Sequence, residues 1–361
     1  MTDKMVENKT EEQEVFKPLS FWRELLLKED ELIEYYNSKR KYEFENNIPI
    51  KGLEFTDKLH PILLKLVELN RKYITKQTMT IINDLREKSD KPVIFAFTHI
   101  GMSDVQIFCE AVRDHHYIFA GDPETMYRSF DGLLFALNGV IYCDTESKED
   151  RYIATERSKE ILRRGENLTL APEGVWNLTG NLLALPLYPG IIKIAMETGC
   201  DIIPIAIEQN DKDFFVNIGK NFKVATDRQF ETKDELKSYE EEKKEDLRNT
   251  LATLKWEIIE QGPVINRKSL GTYDEEYKKY VYERLDEWKN PKTKQNYYTE
   301  ELIKQRTFKP KNICFYEDAF SHLKDLKLTK ENAFLFRNII DLPKEIRTPM
   351  MQELNRNERI R

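Results

Sequence analysis

The sequence predicts an α/β fold, a sheet flanked by helices with helical extensions at both ends, and three observations carry the prediction. Between Val93 and Val224, short apolar runs (VIFAFT, HYIFAG, GVIYC, LTLAP, IIPIAI, FFVNIG) alternate with stretches of helical period, the pattern of strands interleaved with helices. On either side the chain is charged, and its apolar residues recur every three or four positions. At 361 residues and 40% hydrophobic, the chain can bury one large core with appended elements, or two domains.

Taken in order, residues 1–90 read as an N-terminal helical region, with FWRELLLKEDELIEYY and HPILLKLVELNRKYI as its helices. Residues 91–225 read as the α/β core, where the chemistry is expected. Residues 226–361 read as a helical C-terminal extension packing on that core. Two of its helix starts carry capping boxes, Thr232 with Glu235 and Thr272 with Glu275. The second opens YDEEYKKYVYERLDEWK, whose Tyr273, Tyr277, Val281 and Trp288 fall near one face, as in a helix packed on the core.

Charged residues make up 34% and the net charge is -7, so no overall positive field invites nucleic acid or anionic lipid. Cys109, Cys143, Cys200 and Cys314 are scattered without paired spacing, which argues against a disulfide framework and a zinc site; reduced, mostly buried thiols are expected. No metal or other cofactor is implied. The N-terminal MTDKMVENKTEEQEVFK has no apolar signal core, and nowhere do about eighteen apolar residues run together. A cytoplasmic protein, peripheral at most to the inner face of a membrane, is expected. Without a secretory signal, the sequons at Asn167 and Asn177 carry no weight.

The chemistry centres on FAFTHIGMSDVQIF, Phe95 to Phe108. An apolar strand breaks at Thr98-His99, crosses a loop holding Gly101, and enters a helix with a capping box, Ser103 with Gln106, that places Asp104 in its first turn. Ligands commonly gather at the strand ends of α/β sheets. There a carboxylate can accept the proton of one imidazole nitrogen and leave the other facing outward as a base. With no serine or cysteine nucleophile obviously paired to it, such a dyad suits direct deprotonation of a substrate hydroxyl. The plainer alternative is a loop histidine beside a charge that favours a helix N-terminus.

Three further blocks follow: Gly139-Val-Ile-Tyr-Cys-Asp144; LTLAPEG through Glu173 and Gly174; and Pro186-Leu-Tyr-Pro-Gly190 leading into GCDIIPIAIE. With the His99-to-Asp104 spacing, they resemble the four blocks of the glycerolipid and lysophospholipid acyltransferases, which include 1-acylglycerol-3-phosphate acyltransferase. The resemblance covers about residues 91 to 225. It implies a mixed sheet and a role in phospholipid biosynthesis, with His99 as general base and Asp104 as its orienting partner. It also implies an acceptor site at Glu173 and Gly174; Gly139, Thr145, Trp176 and Gly190, in or beside the same blocks, are expected to line the substrate, with core or rim packing as the plainer alternative for Trp176. The implied donor is acyl-CoA or acyl-carrier protein and the implied acceptor a lipid, transfer being to a hydroxyl. A non-catalytic acyl-lipid binder and an N-acyltransferase are the alternatives.

Two departures stand out. The family's second block usually ends in arginine, where Thr145 stands here; its third usually continues Thr-Arg-Ser, where Val175-Trp176-Asn177 stands here. Because arginine suits bidentate phosphate recognition, the expected acceptor either lacks a terminal phosphate or meets a relocated cation, first Arg151, with Arg128, Arg157 and Lys193 as further candidates. His115-His116 reads as a capping pair at a helix end, and His60 and His322 as lying outside the core. Peripheral membrane contact is expected of Leu19 to Leu27, through Phe21, Trp22 and Leu26, or of Gly132 to Val140; both segments also read as core.

Overall fold

The structure, a computed structural model, describes residues 16–260 apart from 25, 51, 102, 122–125, 128, 146, 178–182, 211 and 226–228. Seven strands form one sheet: β1 (Thr78–Asp84), β2 (Ile94–Phe97), β3 (His116–Gly121), β4 (Val140–Cys143), β5 (Asn167–Leu170), β6 (Ile202–Asn210) and β7 (Asp213–Ile218), in the order β1-β7-β6-β2-β5-β3-β4. Strands β2 to β6 run parallel, β7 pairs antiparallel with β6, and β1 runs parallel to β7. The expected mixed sheet is therefore present, and the loops leaving β2, β3, β4 and β5 emerge on one edge.

Strand β2 is buried along its whole length, as a central parallel strand must be. Its residues divide by parity. Ile94 and Ala96 join Leu168, Ile192, Ala195 and Ile202 under one helical layer, whereas Phe95 and Phe97 join Ile107, Phe108, Ile203 and Val216 under the other. The first layer contains α6 (Lys148–Arg163), α7 (Gly190–Thr198) and α8 (Lys233–Glu260); the second contains α4 (Asp104–Val112). Ahead of the sheet come α1 (Phe21–Glu24), α2 (Glu29–Glu45) and α3 (Leu53–Leu69), and α3 runs on as a π-helical turn, Asn70–Thr75. Helix α5 (Phe130–Asn138) precedes β4.

The stretch up to residue 90, read as helical, also contains β1, which extends the sheet beyond β7. Of the two capping boxes in the C-terminal extension, the first supplies its hydroxyl cap, Thr232 Oγ1 accepting from Glu235 N at 3.1 Å, while the Glu235 carboxylate accepts from Glu231 N, one residue before the cap, at 3.0 Å. The Thr272 box, its helix, His322, Cys314 and Arg128 lie outside the described residues.

Three readings are corrected. Ser103 does not cap α4; its hydroxyl accepts from Gln77 Nε2 at 3.2 Å, and the orphan amides before the helix are taken by Asp104 instead. Helix α4 ends at Val112 with Arg113 in the left-handed region (φ 66), so His115 and His116 are not its caps. His116 opens β3, fully buried, and desolvation pushes its imidazole down to about 3; His115 bonds the Glu166 carboxylate at 2.9 Å. His60 is no outlier either: it is buried where α3 meets the core, with Nδ1 2.7 Å from Asn138 Oδ1 and Nε2 3.1 Å from Arg113 O.

Candidate active site

The chain leaves β2 through a side-chain substitute for sheet pairing. Thr98 N donates to Ile205 O at 3.0 Å, and the buried Thr98 hydroxyl then accepts from Ile207 N at 2.9 Å and donates to Ile207 O at 3.2 Å. This satisfies β6 while the main chain peels away, as a buried edge requires. His99 follows at once, on the edge where β2 to β5 end.

His99 Nδ1 lies 2.8 Å from Asp104 Oδ2. The same carboxylate oxygen accepts from the amides of Ile100 at 2.6 Å and Gly101 at 2.9 Å, so Asp104 shapes the loop that carries the imidazole it binds. Asp104 is fully buried, whereas the imidazole keeps 23% of its surface exposed. A carboxylate at Nδ1 fixes that nitrogen as donor and leaves Nε2 as the acceptor, the tautomer a general base needs. Two aromatic edges hold the ring: Phe97 at 5.7 Å and Trp176 at 6.0 Å, nearly perpendicular at 88°.

The loop after β5 closes on the loop after β2. Asn177 N donates to His99 O at 2.6 Å. Glu173, with no exposed surface, accepts from Leu185 N at 2.9 Å and, weakly, from His99 N at 3.4 Å. Burial pushes the Glu173 carboxyl up to about 7, against the pull of Lys255 and of those two amides. Gly174 adopts φ +69, and a Cβ there would stand 2.4 Å from the Tyr188 ring, so glycine is required twice over. Tyr188 itself is tied to this turn through its amide on Pro172 O at 2.9 Å.

Of the positions singled out in the sequence, His99, Asp104, Glu173, Gly174 and Trp176 come together. Glu173 and Trp176 do so from inside: both are buried, and the Glu173 carboxylate accepts from the backbone amides of His99 and Leu185. Thr145 and Arg151 lie beyond the end of β4 on the same edge, three strand positions from β2, or ~14 Å away. The Arg151 guanidinium bonds the Thr145 carbonyl. Gly139 sits at the opposite end of β4 with φ +103; a Cβ there would meet the Tyr117 ring at 2.8 Å, so its requirement is for packing, remote from His99. Gly190 begins α7 with open space around its Cβ position. Arg157 pairs with Glu160 at 2.6 Å and Lys193 with Glu240 at 3.6 Å.

Other residues of this edge escape sequence reading. Arg40 of α2 grips Asp150 through Nε at 2.9 Å and a terminal nitrogen at 2.8 Å, and Asp150 accepts from Asp144 N at 2.6 Å, fixing the loop after β4. Lys255 of α8 is buried 3.3 Å from Glu208 of β6. Both cations sit in runs that read as solvated helix faces, and 110 residues separate Arg40 from its partner.

An acyltransferase family model matches residues 75–208, from just before β1 to the end region of β6. The chain is 27% identical over 127 residues to a 1-acyl-sn-glycerol-3-phosphate acyltransferase of Borreliella burgdorferi, covering 35% of this chain and 49% of that protein; it spans about half the length of this curated relative. Among solved structures, the 1-acyl-sn-glycerophosphate acyltransferase PlsC of Thermotoga maritima aligns over 60% of this chain and 88% of its own, at 14% identity and a TM-score of 0.42. The likeness to acyltransferases thus lies in residues 75–208, the stretch that carries β1 to β6 and the His99–Asp104 pair.

Proposed function

We propose that the protein transfers a fatty acyl group from an acyl thioester to a hydroxyl of a lysophospholipid-like acceptor. The observation that carries this reading is the His99–Asp104 pair: a carboxylate buried and bound to the loop amides, and an imidazole that keeps about a quarter of its surface exposed at the strand edge. His99 Nε2 takes the acceptor's hydroxyl proton as the oxygen attacks the thioester carbonyl. The tetrahedral intermediate collapses to the ester, the carbon–sulfur bond breaks, and the thiolate leaves with the proton returned from His99. Asp104 stabilises the imidazolium formed in between. The step needs no enzyme nucleophile; among the described residues Cys109, Cys143 and Cys200 are buried, and Ser103 Oγ faces Gln77.

For the acceptor, Val175 and Trp176 are buried where the family usually places cations, and Arg151 is a cation of this edge, about three strand positions from β2. This favours a lysolipid with a substituted headgroup over a bare phosphate monoester. Acyl-CoA and acyl-carrier protein are the two donors to test.

Work at a membrane surface, on its cytoplasmic side, fits the same reading. No helix among the described residues is long and apolar enough to cross a bilayer. Phe55, Ile62, Leu66 and Tyr73 are nevertheless exposed along α3 and its π-helical turn, as are Phe130 and Leu133 on α5 and Leu26 after α1. The side chains of Phe21 and Trp22 lie outside the described residues.

The test incubates purified protein with labelled acyl-CoA or acyl-carrier protein and a panel of lysolipid, glycolipid and amine acceptors. Product is expected on a lysolipid hydroxyl, falling at least a hundredfold in His99→Ala with the thermal midpoint retained. An amide product would make the protein an N-acyltransferase, and binding without product would make it an acyl-lipid carrier; undiminished transfer by His99→Ala would remove the base. Lysophosphatidate against a headgroup-substituted lysolipid, with and without Arg151→Ala, decides the acceptor.

A further inference from the structure

Helix α2 precedes the residues matched by the family model, yet one of its side chains joins two loops of the active edge. Arg40 meets the buried Asp150 carboxylate with both arms of its fork, Nε 2.9 Å from Oδ1 and a terminal nitrogen 2.8 Å from Oδ2. Its other terminal nitrogen donates to the Tyr127 hydroxyl. Tyr127 belongs to the loop between β3 and α5, and Asp150 to the first turn of α6, which follows the loop after β4. Ring contacts reinforce the join: Tyr36 of α2 stacks on Tyr127 at 4.3 Å, and Tyr127 meets Tyr142 of β4 edge-on at 5.2 Å.

The clamp extends to the residue before Arg151. Asp150 Oδ2 also accepts from Asp144 N at 2.6 Å, and Asp150 N donates to Ser147 Oγ at 3.1 Å, so the turn from 144 to 150 closes on one side chain. Arg151 comes next, exposed, with its guanidinium on the Thr145 carbonyl of that turn. A buried carboxylate and guanidinium add little net stability over an apolar pair of like volume. What the fork adds is geometry: two parallel bonds fix the plane of the carboxylate, and a third donor is left for the phenol.

We propose that Arg40 is a positioning residue for the acceptor: by holding Asp150 and Tyr127 together it orients the turn from 144 to 151 so that Arg151 meets the lysolipid headgroup. This rests on the function proposed above. Lysine at position 40 keeps the charge but has no fork, so it pairs with Asp150 without fixing the plane of the carboxylate.

The test compares full-length wild type, Arg40→Lys, Arg151→Ala and their double variant. Three quantities are read: steady-state acyl transfer to lysophosphatidylcholine, equilibrium binding of the same lysolipid below its micelle concentration, and hydrogen exchange of the Asp144 amide. Arg40→Lys is expected to raise the acceptor KM and the lysolipid Kd about tenfold, with kcat and the donor KM within about twofold, and to speed Asp144 exchange about tenfold. Because Arg40 acts through Arg151, the double variant should bind no more weakly than Arg151→Ala alone, whereas independent effects would multiply. Arg40→Met with Asp150→Leu replaces the ion pair by apolar groups; it should fold and keep the higher Kd, which covers the case in which Arg40→Lys is unstable. An unchanged Kd, effects that multiply in the double variant, or a loss confined to kcat overturns the proposal even if acyl transfer is present. A Kd that moves as expected in a protein without acyl transfer supports it and removes the functional reading alone.

Discussion

Asp104 Oδ2 lies 2.8 Å from His99 Nδ1, and the same atom takes the amides of Ile100 and Gly101. One oxygen thus serves both the loop and the base. Asp104→Asn keeps an acceptor oxygen in place, and its new amide group falls where Oδ1 has no hydrogen-bond partner among the described residues. The expected loss of stability is therefore about 1 kcal/mol, the difference between charged and neutral hydrogen bonds. Turnover should fall by roughly a hundredfold or more, because the imidazolium formed during transfer has lost its countercharge. Thermal midpoints measured beside kcat separate the two effects.

Glu173 predicts a pH dependence of stability. Its carboxyl is pushed up to about 7 by burial, from 4.5 when unfolded. The folded protein therefore holds this proton more tightly than the unfolded chain does. The stabilisation is fully present below about pH 4.5 and is lost as pH rises through about 7, amounting to roughly 3 kcal/mol across that window. Glu173→Gln cannot titrate, so its stability difference between pH 5 and pH 8 should be smaller than that of wild type. Urea denaturation at the two pH values checks it.

Gly174→Ala should destabilise by about 1–3 kcal/mol, since it meets both a left-handed φ of +69 and the Tyr188 ring. Adding Tyr188→Ala removes the collision but not the backbone strain. Partial recovery in the double variant, read from thermal midpoints, is the expected result.

Arg71, on the π-helical turn after α3, meets Glu110 of α4 with two bonds of 2.6 Å, both residues buried. Breaking a buried pair from one side leaves an uncompensated charge, so Glu110→Gln should cost about 3–5 kcal/mol, and Arg71→Met with Glu110→Met together considerably less. Because α4 also carries Asp104, turnover in the single variant should fall along with stability.

Burial pushes the Cys109 and Cys143 thiols up to about 12 and raises that of Cys200. All three should resist thiol reagents in the native protein and label on unfolding, as mass mapping with and without denaturant would show.

The fold class was legible because a central parallel strand such as IFAF cannot be mistaken for a solvated segment, and because apolar runs of that kind recur at regular intervals. Strand β1 was not legible: it is a largely exposed edge strand, without the apolar run that marks the others. The dyad could be read from spacing, since five residues across one loop suffice to bring His99 to Asp104. What Glu173 does there could not, because its roles on His99 N and Leu185 N depend on the approach of two loops from different strands. Ser103 misled for a related reason: its hydroxyl is engaged by Gln77 Nε2, 26 residues earlier, a contact that local spacing does not reveal. Gly139 was placed with the site by its block, but it occupies the other end of the same strand.

The bond from Asn177 N to His99 O is made by main chain at both ends, which bears on how this protein can diverge. Exchanging the side chain at 177 leaves this bond in place, since both of its atoms belong to the main chain. Proline is the exception, because it removes the N–H that the His99 carbonyl receives. Gain or loss of one residue between Gly174 and Asn177 would likewise carry that N–H out of reach. The length of this segment, from Gly174 to Asn177, is thus tied to the position of the His99 loop through a single amide.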